Sequence, residues 1–332
     1  MSKLTTLLLE WYEENGRALP WRVKGDAHPD PYVVLVSEFM LQQTTVKTVI
    51  PYFQKFMKRF PSIGALAKAS TEQVYEYWQG LGYYTRARSL HKTAQMIMQD
   101  FGGVFPNSYK QVLKLKGIGP YTAASFLTFA FNKPETVVDG NVIRVICRLY
   151  HFTGQIADVM QDIRKKAEKL TSKKHPADYA SAIMDLGAMV CLPKNPQCFR
   201  CPWQAYCRSK DEKNIEEIPQ RKKLAQPFKE GFVYIVYDKK GRVFIRKRQE
   251  KGLLSGLYEF PWGEEPLFKD SRDTGLRVDH TFTHFRLTLH ISLLLKEKFD
   301  GGRYIYLEDF LKYPSSTLMK KVFSKVQKLQ II

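Results

Sequence analysis

The sequence predicts an α+β protein in two parts, a helical domain followed by a smaller domain built on strands. Three observations predict it. Apolar residues recur at helical spacing through the first 210 residues, composition turns charged and poor in aliphatics over 208–229, and a strand-turn-strand pattern follows at once. In chain order, Leu4, Leu7, Leu8 and Trp11 keep the i, i+3, i+4, i+7 spacing of a buried helical stripe. Val49, Phe53, Phe56 and Phe60 do much the same, and so do Val142, Val145, Ile146 and Leu149. Breaks fall at Pro29 to Pro31, Pro61, Gly102-Gly103, Pro106 and Gly117 to Pro120. Residues 211–229, with Pro219 and Pro227, read as a linker. Beyond it, Phe232 to Tyr237 and Val243 to Ile245 flank Asp238-Lys239-Lys240-Gly241, the signature of a β-hairpin. Phe285 to Leu295 alternates as a further strand, while residues 262–279 read as a short, irregular stretch.

Charge narrows the partners. Fifty-two Lys and Arg against 33 Asp and Glu give +19. The excess is not a basic tail, because residues 1–210 hold 28 basic and 16 acidic side chains and residues 211–332 hold 24 and 17. Both parts are positive, which points to a polyanion. No run of about 18 apolar residues exists to span a membrane. The N-terminus reads as an amphipathic helix rather than a secretory signal, and only five cysteines occur. Both fit a soluble protein of a reducing compartment, in a bacterium the cytoplasm near the nucleoid.

Four cysteines carry the sharpest chemical signal. Cys191, Cys198, Cys201 and Cys207 form a C-x6-C-x2-C-x5-C array. Thiolates suit an iron–sulfur cluster or tetrahedral zinc. Zinc more often takes two C-x2-C pairs or His partners, and only one close pair stands here, so the spacing favours one 4Fe–4S cluster. Cys147 falls on an apolar stripe and reads as a core residue.

Leu115-Lys116-Gly117-Ile118-Gly119-Pro120-Tyr121 ends one helix, turns on two glycines and opens another on Pro. Free N–H groups at such a turn make a phosphate seat without base specificity. Asp139 precedes Gly140-Asn141 and an apolar-periodic stretch, so it reads as a helix N-cap whose dipole keeps the carboxylate ionised. Glu38 is the opposite case, set in the apolar segment Val33 to Leu41. Desolvation there raises its pKa and leaves it able to donate a proton near neutrality. One acid kept protonated and one kept ionised is the division of labour that glycosidic cleavage asks for.

With these residues in view, the chain resembles the MutY family of adenine-specific mismatch DNA glycosylases, within the endonuclease III-like helix-hairpin-helix superfamily. The resemblance runs nearly the full length. It rests on Leu19-Pro20-Trp21-Arg22, Ser37 to Thr44, Gly80-Leu81-Gly82-Tyr83-Tyr84, the glycine hairpin, Val138 to Asn141, and the cysteines. It implies a helical glycosylase domain over 1–210, with the hairpin at about 108–131 and the cluster loop at 191–207. A shortened Nudix-like lesion-recognition domain over 230–332 completes the expected layout.

By resemblance, Glu38 protonates a flipped adenine, Asp139 stabilises the oxocarbenium sugar, and Tyr121 and Asn141 position the acid, the water or the sugar. Gln43 and Tyr83 resemble wedges entering the duplex, with Thr44 and Leu81 near the opposite base; Leu81 and Tyr83 equally suit core packing. Lys116, Gly117 and Gly119 form the phosphate seat, and Lys194 of the cluster loop is placed to meet a phosphate. The bifunctional members of the superfamily carry a nucleophilic Lys where this chain has Tyr121, which cannot form a Schiff base. Base excision without efficient strand cleavage follows. Gly256 to Pro261 resembles the strand preceding a Nudix box, but the Arg-Glu-x-x-Glu-Glu core is absent, so metal-dependent pyrophosphate hydrolysis is not expected. Phe282-Thr283-His284 matches the family's 8-oxoguanine loop, with Thr where Ser is common. The implied partner is double-stranded DNA with adenine opposite 8-oxoguanine or guanine, bound by a monomer.

Two other readings compete. An endonuclease III-like glycosylase/lyase is opposed by Tyr121 and by the C-terminal domain. A non-catalytic iron–sulfur DNA-binding protein is opposed by the retention of both Glu38 and Asp139.

Overall fold

The computed structural model describes residues 2–23, 28–220, 225–249 and 252–328, and among these described residues it contains twelve α-helices, four short 3-10 turns and seven strands. The helices are α1 (Lys3–Asn15), α2 (Pro31–Leu41), α3 (Val46–Arg59), α4 (Ile63–Lys68), α5 (Thr71–Trp78) and α6 (Tyr84–Asp100). They continue as α7 (Tyr109–Val112), α8 (Pro120–Phe131), α9 (Gly140–Tyr150), α10 (Ile156–Leu170) and α11 (Pro176–Met189), with α12 (Thr317–Gln327) closing the second part. The strands are β1 (Phe228–Tyr237), β2 (Arg242–Lys247), β3 (Tyr258–Glu259), β4 (Trp262–Gly263), β5 (Arg272–Thr281), β6 (Arg286–Leu295) and β7 (Gly302–Tyr306). The chain divides into two compact units, Met1–Lys68 with Ser89–Lys223, and Ala69–Arg88 with Leu224–Ile332. Among the described residues no helix is long and apolar enough to cross a membrane.

Side-chain caps start the helices of the first unit. Ser2, Asp30, Thr45 and Asp139 each accept a backbone N–H at the head of α1, α2, α3 and α9. The stripes read from sequence point inward: Val49, Phe53, Phe56 and Phe60 are all buried, as are Val142, Val145, Ile146 and Leu149. Leu8, Ile146, Cys147, Ile163, Leu186 and Trp203 share one core, and burying each such aliphatic stabilises by roughly 1.5–3 kcal/mol. Cys147 is thus a core residue. Helix α2 is apolar on nearly every side and buries Tyr32 and every residue from Val34 to Met40. A helix so placed carries any polar side chain on it into the interior.

The second unit holds a mixed sheet ordered β3-β2-β1-β6-β5, with β4 on β1 and β7 on β2. β1 and β2 form the antiparallel hairpin, with Tyr237 opposite Val243, and β1 runs parallel to β6. Alternation along β1 sends Val233 and Ile235 to one core and Tyr234 and Val236 to another, so both faces of the sheet are covered. Residues 69–88, placed with the helical domain by sequence, cluster here: Tyr84 donates to the Ser315 carbonyl at 3.3 Å and Lys247 pairs with Glu72.

One expectation fails. Residues 262–279 are not irregular, for β5 begins at Arg272 and pairs antiparallel with β6. It carries Arg272, Asp273, Arg277 and Asp279 and is mostly exposed, so no apolar alternation announces it. Pairing with the apolar β6, interrupted by a bulge between Asp273 and Arg277, holds it in place. Of the linker read over 211–229, residues 221–224 lie outside the described residues, and Phe228 and Lys229 already belong to β1.

Candidate active site

The first unit contains a cleft of about 1190 Å³ lined by Glu38, Gln43, Thr44, Tyr121, Asp139 and Asn141. Sequence reasoning had singled out all six. Glu38 enters from the last turn of α2 and is only 7% exposed. Burial pushes its carboxyl up to about 7. The charge of Asp139 adds to the rise, whereas the Ser125 hydroxyl and the Arg22 guanidinium oppose it. At that value both protonation states are populated near neutrality, which is what a proton donor needs.

Asp139 faces the same cleft from the head of α9. Its Oδ1 accepts the Val142 N–H at 2.7 Å and its Oδ2 accepts Asn141 Nδ2 at 3.0 Å. Both bonds orient the Asp139 side chain at the positive end of α9. Asn141 is fixed in turn by Arg144, whose Nη2 donates to Asn141 Oδ1 at 2.9 Å and to the Gly187 carbonyl at 2.6 Å. A Cβ on Gly187 would stand 2.6 Å from that of Asn141, so glycine is what lets α11 approach α9 here. The two acids therefore share a cavity but not an environment.

Tyr121 stands second in α8. Its side chain is 39% exposed on the cleft, but desolvation around the hydroxyl, and then the Glu38 and Asp139 charges, push its phenol well above the usual range, so it stays protonated and can donate. Helix α8 begins on Gly119 without a side-chain cap, with Pro120 first, which leaves its leading N–H groups for an outside acceptor. Gly117 has φ +77°, and a Cβ there would lie 2.4 Å from Ser89 Cβ, so the turn requires glycine. Lys116 and Gly119 are exposed beside it.

Sequence reasoning missed three members of this site. Asp185 on α11 is wholly buried and accepts Arg17 Nη2 at 2.6 Å, Arg17 Nε at 2.8 Å, Arg17 N at 2.9 Å and Arg22 Nη1 at 2.8 Å. Burial alone would raise its carboxyl, but the bonds to Arg22 and Arg17 outweigh that and hold it low. Asp185 thereby fixes Arg22, which lines the cleft and acts on Glu38. Its signal was a lone acid in the apolar run Ile183-Met184-Asp185-Leu186, the logic that found Glu38. Gln42 reaches across to Thr122 on α8 at 3.2 Å. Ser125, one turn beyond Tyr121, is buried beside both Tyr121 and Glu38.

The four cysteines line one smaller cavity in the same unit, together with Arg148. Arg148 donates from Nη1 to the Leu192 carbonyl at 2.6 Å and to Cys191 Sγ at 3.5 Å, from Nη2 to the Pro193 carbonyl at 3.1 Å, and from Nε to the Ile218 carbonyl at 3.0 Å. Among the described residues no three Cys, His, Asp or Glu converge closely enough for a single ion. Four thiols lining one cavity are a donor set able to hold a multi-iron cluster with one thiolate per iron. The residues present fit the cluster.

The second unit brings together two others. Tyr83 hydroxyl and Thr283 Oγ1 lie 2.5 Å apart, Tyr83 with a positive φ and 45% exposed. Thr283 and His284 are exposed, and Phe282 stacks on Phe285 at 4.7 Å. Leu81 is 5% exposed and packs inward, so of the two residues in that loop Tyr83 is the one on offer.

Comparison with known proteins bears on both units. Residues 36–173 match the family described as HhH-GPD superfamily base excision DNA repair protein, and residues 232–325 match the NUDIX domain. An adenine DNA glycosylase of Buchnera aphidicola (subsp. Baizongia pistaciae) is 40% identical over 257 residues, covering 76% of this chain and 72% of that protein. That of Buchnera aphidicola (subsp. Schizaphis graminum) is 35% identical over 306 residues, covering 87% and 86%. The human adenine DNA glycosylase is 32% identical over 401 residues, covering 96% and 73%. Among solved structures, a thermostable thymine-DNA glycosylase superposes with a TM-score of 0.55 at 27% identity, over 62% of this chain and 94% of that one. Endonuclease III in a non-covalent DNA complex gives 0.52 at 22% identity, over 63% and 97%, a likeness of fold.

Proposed function

We propose a course of reaction for a chain that belongs to the adenine DNA glycosylase family. It is a monofunctional adenine DNA glycosylase of base excision repair, and DNA is its partner. The substrate is adenine paired with 8-oxoguanine or guanine in duplex DNA, bound by one copy of the chain.

Adenine leaves the stack and enters the cleft of the first unit, at a cost of a few kcal/mol that is least for a mispaired base. Glu38 donates its proton to a ring nitrogen of the base. The C–N glycosidic bond breaks, and its electron pair leaves with the now neutral adenine. Asp139, oriented by Val142 N–H and Asn141, stabilises the positive sugar until water attacks. Tyr121 donates toward the reacting groups and supplies no amine, so the strand is left intact. Arg22, braced by Asp185, borders the base.

Phosphates dock at the uncapped head of α8 and beside Lys116, Gly117 and Gly119, while Gln43 and Thr44 reach the duplex from the end of α2. In the second unit, Leu81, Tyr83, Phe282, Thr283 and His284 form the region that meets the opposite base, with Leu81 supporting from beneath. Cys191, Cys198, Cys201 and Cys207 would hold one 4Fe–4S cluster, which when bound ties down the segment from Cys191 to Cys207 and so orders Lys194. The setting is the cytoplasm, at the nucleoid, in a bacterial host.

One observation carries the reading: a buried carboxyl poised near neutrality across one cavity from a carboxylate capped by a helix. The test is single-turnover release of adenine from duplexes pairing it with 8-oxoguanine, guanine or thymine. Release from the first two, well ahead of thymine and without a coincident nick, is expected. Equal release from all three overturns the specificity, and a nick as fast as base loss overturns the monofunctional course.

A further inference from the structure

Helices α2 and α8 pack together with Glu38 on one and Tyr121 on the other. Ser125 stands four residues after Tyr121 and therefore on the same face of α8. Ser125 is 0% exposed, and its Oγ has no hydrogen-bond partner among the described residues. A buried hydroxyl left unpaired costs about 1–3 kcal/mol, so it is a poor choice for stability at this position. The helix around it is apolar, Ala123, Ala124, Phe126 and Leu127 being buried with it, and Ala would serve the packing equally. The hydroxyl is near enough to the Glu38 carboxyl and the Tyr121 phenol to draw both downward, yet the resting geometry completes no bond to either.

We propose that Ser125 is a positioning residue for the acid step, donating its hydroxyl hydrogen to the Glu38 carboxyl as that group gives up its own proton to adenine. The inference rests on the assignment of Glu38 as the acid. As the proton moves from Glu38 to the base and the glycosidic electron pair follows, negative charge is left on the carboxylate. A hydrogen bond to the charged form is stronger than one to the neutral form, so the Ser125 contact tightens along the reaction. The bond also orients Glu38, because the donor occupies one carboxyl oxygen and leaves the protonated one for the base. Around the Glu38 carboxyl stand Tyr121 on α8, Asp139 at the head of α9 and Arg22 beyond α1, with Arg17, His28, Lys47 on α3, Arg144 on α9 and Asp178 on α11 lining the same cavity. Asp139 acts to keep Glu38 protonated and Arg22 acts against it, and a change at Ser125 leaves each of these side chains unaltered.

The experiment compares the full chain with Ser125→Ala, Ser125→Thr and Glu38→Gln, each with its cysteine site loaded in the same way. Single-turnover adenine release from a duplex with adenine opposite 8-oxoguanine is followed from pH 5 to 9, alongside thermal melting. Ser125→Ala should lower the plateau rate by about tenfold and move the alkaline fall in rate upward by about one pH unit, the worth of one charge-assisted hydrogen bond. It should melt no lower than the parent, because a buried unpaired hydroxyl has been removed. Ser125→Thr keeps the hydroxyl and should return the alkaline limb to its parental position. A parental plateau and limb in Ser125→Ala, with Glu38→Gln inactive, overturns the role of Ser125 alone. A lowered melting temperature with an unmoved limb overturns it in favour of packing. A parental rate in Glu38→Gln instead brings down the acid assignment on which the proposal stands.

Discussion

The cleft of the first unit and the loops of the second solve opposite problems. In and behind the cleft, several side chains violate a folding preference: Glu38 and Asp185 are acids in apolar helices, Ser125 is an unpaired hydroxyl, and Arg144 is a buried guanidinium group. In the second unit, Tyr83, Thr283 and His284 sit exposed and break no rule beyond the positive φ of Tyr83. Chemistry needs groups withdrawn from water, because desolvation is what separates their protonation states. Reading an opposite base needs groups held out to it, and those resemble ordinary surface.

That contrast can be broken most sharply at Glu38. Glu38→Gln should lower single-turnover adenine release by about 10²–10⁴-fold, the usual worth of a general acid, with affinity for the mispaired duplex retained. The parallel substitution Thr283→Val should leave the rate of base loss nearly unchanged. Its effect should appear in the preference for 8-oxoguanine over guanine, through loss of the Tyr83 contact.

Stability separates the two regions next. Asp185→Asn leaves Arg17 and Arg22 without their buried partner, and urea unfolding should register a loss of about 3–5 kcal/mol. Substitutions at the exposed Thr283 or His284 should stay within about 0.5 kcal/mol. A small loss at Asp185 would mean that Arg22 is not braced there.

A subtler effect concerns pH. The folded-state pKa of Glu38 lies at about 7, above its unfolded value, so the folded protein binds more protons between roughly pH 4.5 and 7. Stability contributed by this group therefore falls as pH rises through that window. Glu38→Gln removes the penalty and should stabilise the protein at pH 8 by about 2–3 kcal/mol, with almost no gain at pH 4.5, read from paired urea melts. No gain at pH 8 would mean that Glu38 is not strained by burial. The smallest effect is expected from Leu81→Met, a volume-conserving change at a buried position, at under about 1.5 kcal/mol and without a change in specificity.

The legibility of the sequence followed the same divide. Helical stripes such as Val49 to Phe60 were readable because burial of one face imposes a period, and Asp139 was readable because a cap has a fixed place before its helix. Glu38 stood out as an acid among apolar neighbours. Strand β5 did not, since its charged residues are ordered by pairing with β6 and not by a core of their own. Ser125 carried no signal beyond its spacing from Tyr121, because a serine in an apolar helix reads as small and neutral until its neighbours across α2 are known. The clustering of residues 69–88 with the sheet depends on contacts such as Tyr84 to Ser315, more than 200 residues apart, which no local pattern encodes.

The central claim is that one carboxyl in the cleft is kept poised to lose a proton near neutrality. Carbon-13 NMR of protein labelled at the glutamate carboxyl carbons tests it most directly, with Glu38→Gln identifying the resonance. A midpoint near 7 for the signal missing from the variant is predicted. A midpoint in the ordinary glutamate range, near about 4.3, would contradict the account.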